Sequence, residues 1–282
     1  MARMLTLGRR IKEEMDRTKL TLIAAGVAFY GLLALFPGIG ALMAMAGLVA
    51  DPAQVSDTLA VLGQVMPAAA AEIITGQAQQ VAGSSGNSLG VVAAVGLLLT
   101  LYSASKGMQA LIDGLNVVND REDDRGFIRQ TALKLALTFG LLIGVLLCVA
   151  VAVGVPVALS WLPLAPDTEW AVNAARWPVL LVIAGMGIAL TYRVGPAGER
   201  TPWGAILPGA ALACVLWLAG TAAFAAYVRM FGSYQETFGA LGGVVILLMW
   251  LWVSASVLLL GGLTARLIRS RPDGDEDAGR AA

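Results

Sequence analysis

The stretch from Gly239 to Ala265 reads GALGGVVILLMWLWVSASVLLLGGLTA and contains no Asp, Glu, Lys or Arg. A helix needs roughly 20 apolar residues to cross a hydrocarbon core about 30 Å thick, so this segment alone predicts a transmembrane helix. Five further charge-free runs accompany it: Leu20 to Ala50, Leu89 to Ser105, Leu135 to Ser160, Trp177 to Tyr192, and Trp203 to Val228. Across the 282 residues, 58% are hydrophobic and 13% charged, whereas soluble domains carry about 25% charged residues. The fold class is therefore all-α: a polytopic membrane protein with six transmembrane helices and amphipathic interfacial helices.

Orientation follows from the basic residues outside the runs. Seventeen Lys and Arg fall in Met1 to Lys19, Lys106 to Lys134, Arg193 to Pro202 and Arg266 to Ala282, against two in the intervening segments. By the positive-inside rule, both termini are cytoplasmic. Residues 1–19 then form a cytoplasmic leader, 20–265 the membrane domain, and 266–282 a disordered cytoplasmic tail, with an outer segment at 51–88 and an inner one at 106–134. Ala44-Met45-Ala46 resembles a signal-peptide cleavage site, but the apolar run is about twice a normal h-region, which favours a first span.

The polar segments carry helical periodicity. Met4, Leu7, Ile11 and Met15 alternate with Arg9, Arg10, Glu13, Glu14 and Arg17, predicting a basic amphipathic helix at the inner leaflet. Val55, Leu59, Leu62 and Met66, then Ile73, Ile74, Ala78 and Val81, predict two short outer helices. Met108, Leu111, Ile112, Leu115 and Val118 extend the second span inward as an amphipathic helix. The following Asp120-Arg121-Glu122-Asp123-Asp124-Arg125 reads as a solvated charged turn, because its interleaved arginines argue against a divalent-cation site. In the first run, Phe36-Pro37-Gly38-Ile39-Gly40 is the natural place for a kink or break, since proline has no amide hydrogen to donate. Two readings stay open there: a span with a tilted continuation, or a broken helix lining a cavity. Gly140-x-x-x-Gly144 and Gly239-x-x-x-Gly243 are the candidate close-approach faces.

Catalytic signals are few. The absence of histidine excludes His-ligated metals and His-based nucleophilic catalysis, and Cys148 and Cys214 lie within apolar runs. Ser103 and Lys106 have the Ser-x-x-Lys spacing of serine acylases, yet the partner elements of that chemistry are missing. No Walker sequence appears, and zero net charge gives no general attraction for nucleic acid. The expectation is no enzyme, no cofactor, no metal and no nucleic-acid partner. With no ionisable group inside the runs, a pump built on a buried carboxylate lacks its main component.

Several blocks together resemble the YihY/BrkB family of bacterial inner-membrane proteins. They are Ala28-Phe29-Tyr30 through Phe36-Pro37, Ser103-Ala104-Ser105-Lys106-Gly107 with Asn116, Leu207-Pro208-Gly209-Ala210, and Phe231-Gly232-Ser233-Tyr234 with Thr237, Gly239 and Trp250. The resemblance implies a six-span protein of the bacterial cytoplasmic membrane, in a family linked to serum resistance and to lipid or solute export. A ribonuclease BN label attaches to that family, and nothing in these residues supports RNA chemistry. Where the family commonly has Gly-Ala-Glu-Leu-Asn at the end of the last span, this chain has Gly261-Gly262-Leu263-Thr264-Ala265, so no role of that carboxylate carries over.

The expected function is translocation of a small polar solute or a lipid, with the bilayer as environment and an oligomer compatible with it. The candidate cavity or gating residues are Tyr30, Pro37, Ser103, Ser105, Lys106, Asn116, Ser233, Tyr234, Thr237, Trp250 and Ser254. The alternative is a non-transporting scaffold that holds partner proteins.

Overall fold

A computed structural model describes residues 2–49, 88–161, 166–230 and 240–270. Seven helices make up the described fold: α1 (Ala2–Arg17), α2 (Leu20–Val49), α3 (Ser88–Val118), α4 (Phe127–Trp161), α5 (Pro166–Val194), α6 (Trp203–Met230) and α7 (Ala240–Arg269). The outer segment, the turn carrying Ser233, Tyr234 and Thr237, and the tail beyond Ser270 lie outside the described residues.

Four helical stretches are long and apolar enough to cross a membrane: Phe127–Ala152, Trp170–Val194, Trp203–Arg229 and Gly242–Arg269. The bent pair of Gly8–Arg17 and Leu20–Leu35 makes five if counted as one span. The sixth expected run, Leu89 to Ser105, is helical within α3, but its apolar length is at the short end of what spans a bilayer. As expected, α3 carries on beyond Lys106 to Val118 without interruption.

The expected break at Pro37 is absent. Helix α2 runs through it from Leu20 to Val49, and Pro178 and Pro208 likewise sit inside α5 and α6. Neighbouring helices and local adjustments can accommodate such prolines within membrane bundles. The chain bends instead between α1 and α2, by 64°. Lys19 there adopts a φ of 50°, and the Thr18 hydroxyl donates to the Glu14 carbonyl at 2.7 Å, closing the last turn of α1.

Helices α2 and α3 share the most extensive interface, and α7 lies against α2, α3 and α6. The buried core comprises Leu20, Ala24, Leu115, Val118, Ala189, Tyr192, Ile206, Ala210, Ala255, Leu259 and Leu263. These residues come mostly from the ends of α3, α5 and α7 and the beginnings of α2 and α6, so the core gathers towards one end of the bundle. The α6–α7 crossing is the tightest. A Cβ on Gly209 would lie 2.6 Å from the Gly261 carbonyl oxygen, and one on Gly261 would lie 2.7 Å from that of Gly209. Gly140 and Gly144, expected as close-approach residues, have nothing within 4 Å of a built Cβ, so that motif packs against no helix among the described residues.

Candidate functional site

Where the first, second and last spans meet, the described residues of α2, α3 and α7 pack directly at several glycines. Tyr30 stacks edge-on with Phe29, their centroids 5.6 Å apart, and a Cβ on Gly107 of α3 would sit 3.6 Å from the Tyr30 Cβ. A Cβ on Gly31, the residue after Tyr30, would sit 3.9 Å from Leu251 of α7, while Gly114 of α3 is wedged between Ile23 and Leu259. Pro37 is half-buried within the same continuous helix.

Of the hydroxyls and the lysine proposed for the cavity expected there, Ser103, Ser105 and Lys106 lie within one turn of α3 and Ser254 lies on α7. Ser103 is half-buried. No hydrogen bond joins it to Lys106, whose Nζ instead lies over the Tyr102 ring at 5.7 Å. Ser105 is buried, and its hydroxyl has no partner among the described residues, a property shared with Ser256. Ser254 and Trp250 belong to the α6–α7 interface. Trp217 Nε1 donates to Ser254 Oγ at 3.0 Å, Ser254 Oγ donates to the Trp250 carbonyl at 2.8 Å, and Trp250 Nε1 donates to Thr221 Oγ1 at 3.3 Å. These bonds satisfy polar groups between helices where hydrocarbon offers no alternative.

Asn116 lies elsewhere, at the charged end of the bundle, where the densest polar network is found. Its Oδ1 accepts the Ala197 backbone N–H at 2.7 Å, fastening α3 to the α5–α6 loop. Its Nδ2 donates to Asp123 at 3.5 Å. Asp123 also receives two hydrogen bonds from Arg125, at 2.7 and 3.0 Å, which hold its carboxyl below the ordinary value despite partial burial. Arg125 reaches on to the Gly195 carbonyl at 2.8 Å.

A second network ties α1 to the bundle. Arg17 pairs with Glu14 at 2.8 Å and with Asp120 at 2.6 Å. Arg266, at the end of α7, donates to the Val118 carbonyl at 2.8 Å, contacts Glu14 at 3.2 Å and pairs with Asp120. These contacts raise the affinity of Arg17 for its proton, chiefly through the hydrogen bonds to Glu14 and Asp120.

The stretch Asp120 to Arg125, expected as a solvated turn, is therefore a connector. Asp120, Arg121, Asp123 and Arg125 each bond to another element or to one another, while Glu122 and Asp124 stay exposed. Among the described residues no group of three or more His, Cys, Asp or Glu could hold a metal ion.

Sequence reading missed the α5–α6 loop. Arg121 donates through Nη1 to the carbonyls of Ala197 and of Glu199, the latter at 2.7 Å. Arg193 donates to the Thr201 carbonyl at 3.1 Å and lies 4.6 Å from the centroid of the Trp203 ring. Arg269 donates to Thr201 Oγ1 at 3.3 Å. Gly198 adopts a φ of +77°, and a Cβ there would sit 3.4 Å from Arg121 Nη1, so glycine fits both the turn and the guanidinium. An open cleft of about 480 Å3 lies beside this loop, lined by Arg121, Arg125, Arg129, Gly198 and Glu199 among others. The only available signal was the concentration of arginines in segments far apart in sequence.

A family model described as Virulence factor BrkB matches residues 11–282. The chain belongs to the BrkB family. The putative ribonuclease-like protein YfkH of Bacillus subtilis (strain 168) is 30% identical over 253 residues, covering 88% of this chain and 90% of that one. A UPF0761 membrane protein of Tolumonas auensis is 40% identical over 84 residues, 30% of this chain and 27% of its own. The UPF0761 membrane protein YihY of Salmonella typhimurium is 31% identical over 105 residues, 37% of this chain and 35% of its own. No solved structure matches the chain. Family membership and the apolar helices together make this BrkB protein a multi-pass membrane protein in contact with the bilayer.

Proposed function

We propose that this BrkB protein is a six-span protein of the bacterial cytoplasmic membrane, with both termini cytoplasmic, that translocates a lipid or a small polar solute and has no enzyme activity. The lopsided distribution of Lys and Arg supports the orientation, and the apolar half of α3 supplies the sixth span. A C-terminal reporter fusion tests the topology; its exposure outside the cell would overturn it.

Within this reading a lipid fits better than a polar solute. The observation that carries the preference is the apolar surface of α4, exposed on more than one side of the helix, where Phe139, Leu141, Ile143, Val145, Leu146 and Leu147 are all at least half exposed. Between the helices, Trp217 and Thr221 of α6 are engaged with Ser254 and Trp250 of α7, while Ser256 has no partner among the described residues. An acyl chain can follow such a surface, while a free polar solute finds no ionisable group in the spans to replace its hydration. Purified protein in liposomes should accelerate the exchange of a fluorescent phospholipid between leaflets, read by quenching from outside. Equal rates with and without protein would sink the translocation reading.

The scaffold reading draws on a different observation, the direct packing of α2, α3 and α7 at Gly31, Gly107 and Gly114. Cysteines placed by Ser103→Cys and Ser254→Cys separate the two. A membrane-impermeant thiol reagent labels them if a solvated path opens during a transport cycle, and leaves them unlabelled in a permanently closed bundle.

A further inference from the structure

Four arginines from separate parts of the chain converge on the loop from Gly195 to Thr201: Arg121, Arg125, Arg193 and Arg269. Arg125 is neutralised by its pair with Asp123. The other three have no carboxylate within 4.0 Å among the described residues, and each uses only Nη1 to reach a loop oxygen. A carbonyl or hydroxyl oxygen holds a guanidinium in place but carries only a partial charge, so none of these three is paired, although Glu122, Asp124 and Glu199 line the cleft beside Arg121 and offset part of the positive charge.

The remaining positive charge is felt within the cluster. Burial first and the nearby Arg269 second lower the affinity of Arg121 for its proton, with Glu199 acting against both. Gathering like charges in a half-buried loop is unfavourable unless a counter-anion completes it. Planar guanidinium forks with unused N–H groups match the oxygens of a phosphate.

The surroundings suit an anion at the membrane surface. Trp203, stacked with Arg193, begins α6, and tryptophans at such positions favour headgroup depth. On the same end, Phe127 and Ile128 start α4 at 80% and 83% exposure, immediately beside Arg129 and the open cleft. Apolar side chains so exposed next to arginines fit the boundary between acyl chains and headgroups.

We propose that Arg121, Arg193 and Arg269, gathered around the α5–α6 loop, form a binding site for a phosphate-bearing anion, supplied by an anionic phospholipid headgroup or as free phosphate. The site does not depend on translocation: a protein that moves nothing would still bind there, and binding is measured without any transport assay.

The test uses the full chain in neutral detergent. Native mass spectrometry and thermal unfolding are followed with phosphatidylglycerol, with phosphatidylcholine, and with inorganic phosphate against chloride at matched ionic strength. The wild-type protein should bind phosphatidylglycerol in preference to phosphatidylcholine, and the R121Q/R269Q double variant should bind it roughly tenfold more weakly. If inorganic phosphate competes with the lipid and stabilises by itself, the natural source is free phosphate. If only the lipid acts, the source is a headgroup; both results uphold the site.

Should the double variant fail to fold, phenylglyoxal labelling of the wild-type chain gives a separate readout. A bound anion protects Arg121 and Arg269 from modification while leaving Arg9 and Arg10 unchanged. Equal labelling with and without either anion, or undiminished lipid binding by a folded R121Q/R269Q protein, would overturn the proposal.

Discussion

The charged end of the bundle and the middle of α4 are built on opposite rules. At the charged end, α1, α3, α7 and the α5–α6 loop are tied by arginines, and the core of Leu115, Tyr192, Leu259 and Leu263 is almost wholly buried. In α4 only 6% of the apolar window is buried, against 22% in α7. Lipid tails are as apolar as leucine, so a helix in hydrocarbon gains little by hiding its side chains, whereas polar groups near water must be paired or solvated. The contrast teaches that this protein concentrates its specific contacts where the bilayer ends and leaves much of the span to lipid.

The sharpest way to break the comparison is to add bulk to one glycine from each region. Gly261→Leu would drive a side chain into the Tyr192 hydroxyl of α5 and into the Gly209 carbonyl and Ala213 of α6, three contacts on two facing helices. The expected cost is about 1–3 kcal/mol or more, seen as a lower melting temperature in detergent. Gly144→Leu meets nothing within 4 Å and should change stability by less than about 0.5 kcal/mol. Equal losses at both sites would mean that α4 is covered by something besides lipid, such as a second copy of the chain.

A smaller effect is expected from the arginine that joins three elements. Arg266→Ala removes the contacts to Glu14, Asp120 and the Val118 carbonyl. Because the pair is only partly buried, the loss should lie between surface and interior values, about 1–2 kcal/mol. Limited proteolysis should then release α1 first, since the remaining tie of α1 to Asp120 is the exposed Arg17. If α1 stays protected in that variant, the network is incidental to docking and the apolar stripe of Ile11 and Met15 holds the helix alone.

These two regions were unequally legible in the sequence. Four of the six expected spans and the amphipathic stripes of α1 and of α3 beyond Lys106 could be read because hydrophobic period and length are local properties. The boundary between leader and first span at 19/20 could be read too, but not that Lys19 would turn the chain there through a positive φ, nor that the helix would run unbroken through Pro37. Likewise Gly140-x-x-x-Gly144 announced a close approach that it does not make. The tight crossing falls at Gly209 and Gly261, whose pairing depends on how α6 and α7 register against each other.

The candidate site divides in the same way. Asn116 entered through family resemblance alone, and the structure makes it a clamp on the α5–α6 loop. Counting arginines placed them on one side of the bilayer, but convergence of Arg121, Arg193 and Arg269 on one loop needs three-dimensional structure. Ser254 was identified as a hydroxyl within the last span and Trp250 through the family resemblance, but the pairing of Trp217 with Ser254 and of Trp250 with Thr221 depends on how α6 and α7 meet.

The mildest effect concerns acid. Asp123 has its native proton affinity lowered by Arg125, so the ion pair contributes stability above the ordinary carboxylate range. That contribution falls away as pH drops from the unfolded value through the depressed native one, because protonation ends the attraction. Asp123→Asn should therefore lower the melting temperature slightly at neutral pH and remove part of the loss seen on acidification. The partial burial of the pair, with side chains 12–13% exposed, keeps salt from screening it fully. Asp113 supplies an internal contrast of small size, since partial desolvation raises its proton affinity despite a hydrogen bond from Gln109, while the residue itself remains exposed to screening solvent. Its charged form is the disfavoured one, and acidification relieves rather than removes stability there. Melting curves of wild type, D123N and D113N against pH therefore separate the two. An acid response unchanged in D123N would mean that the Asp123–Arg125 pair is not its source.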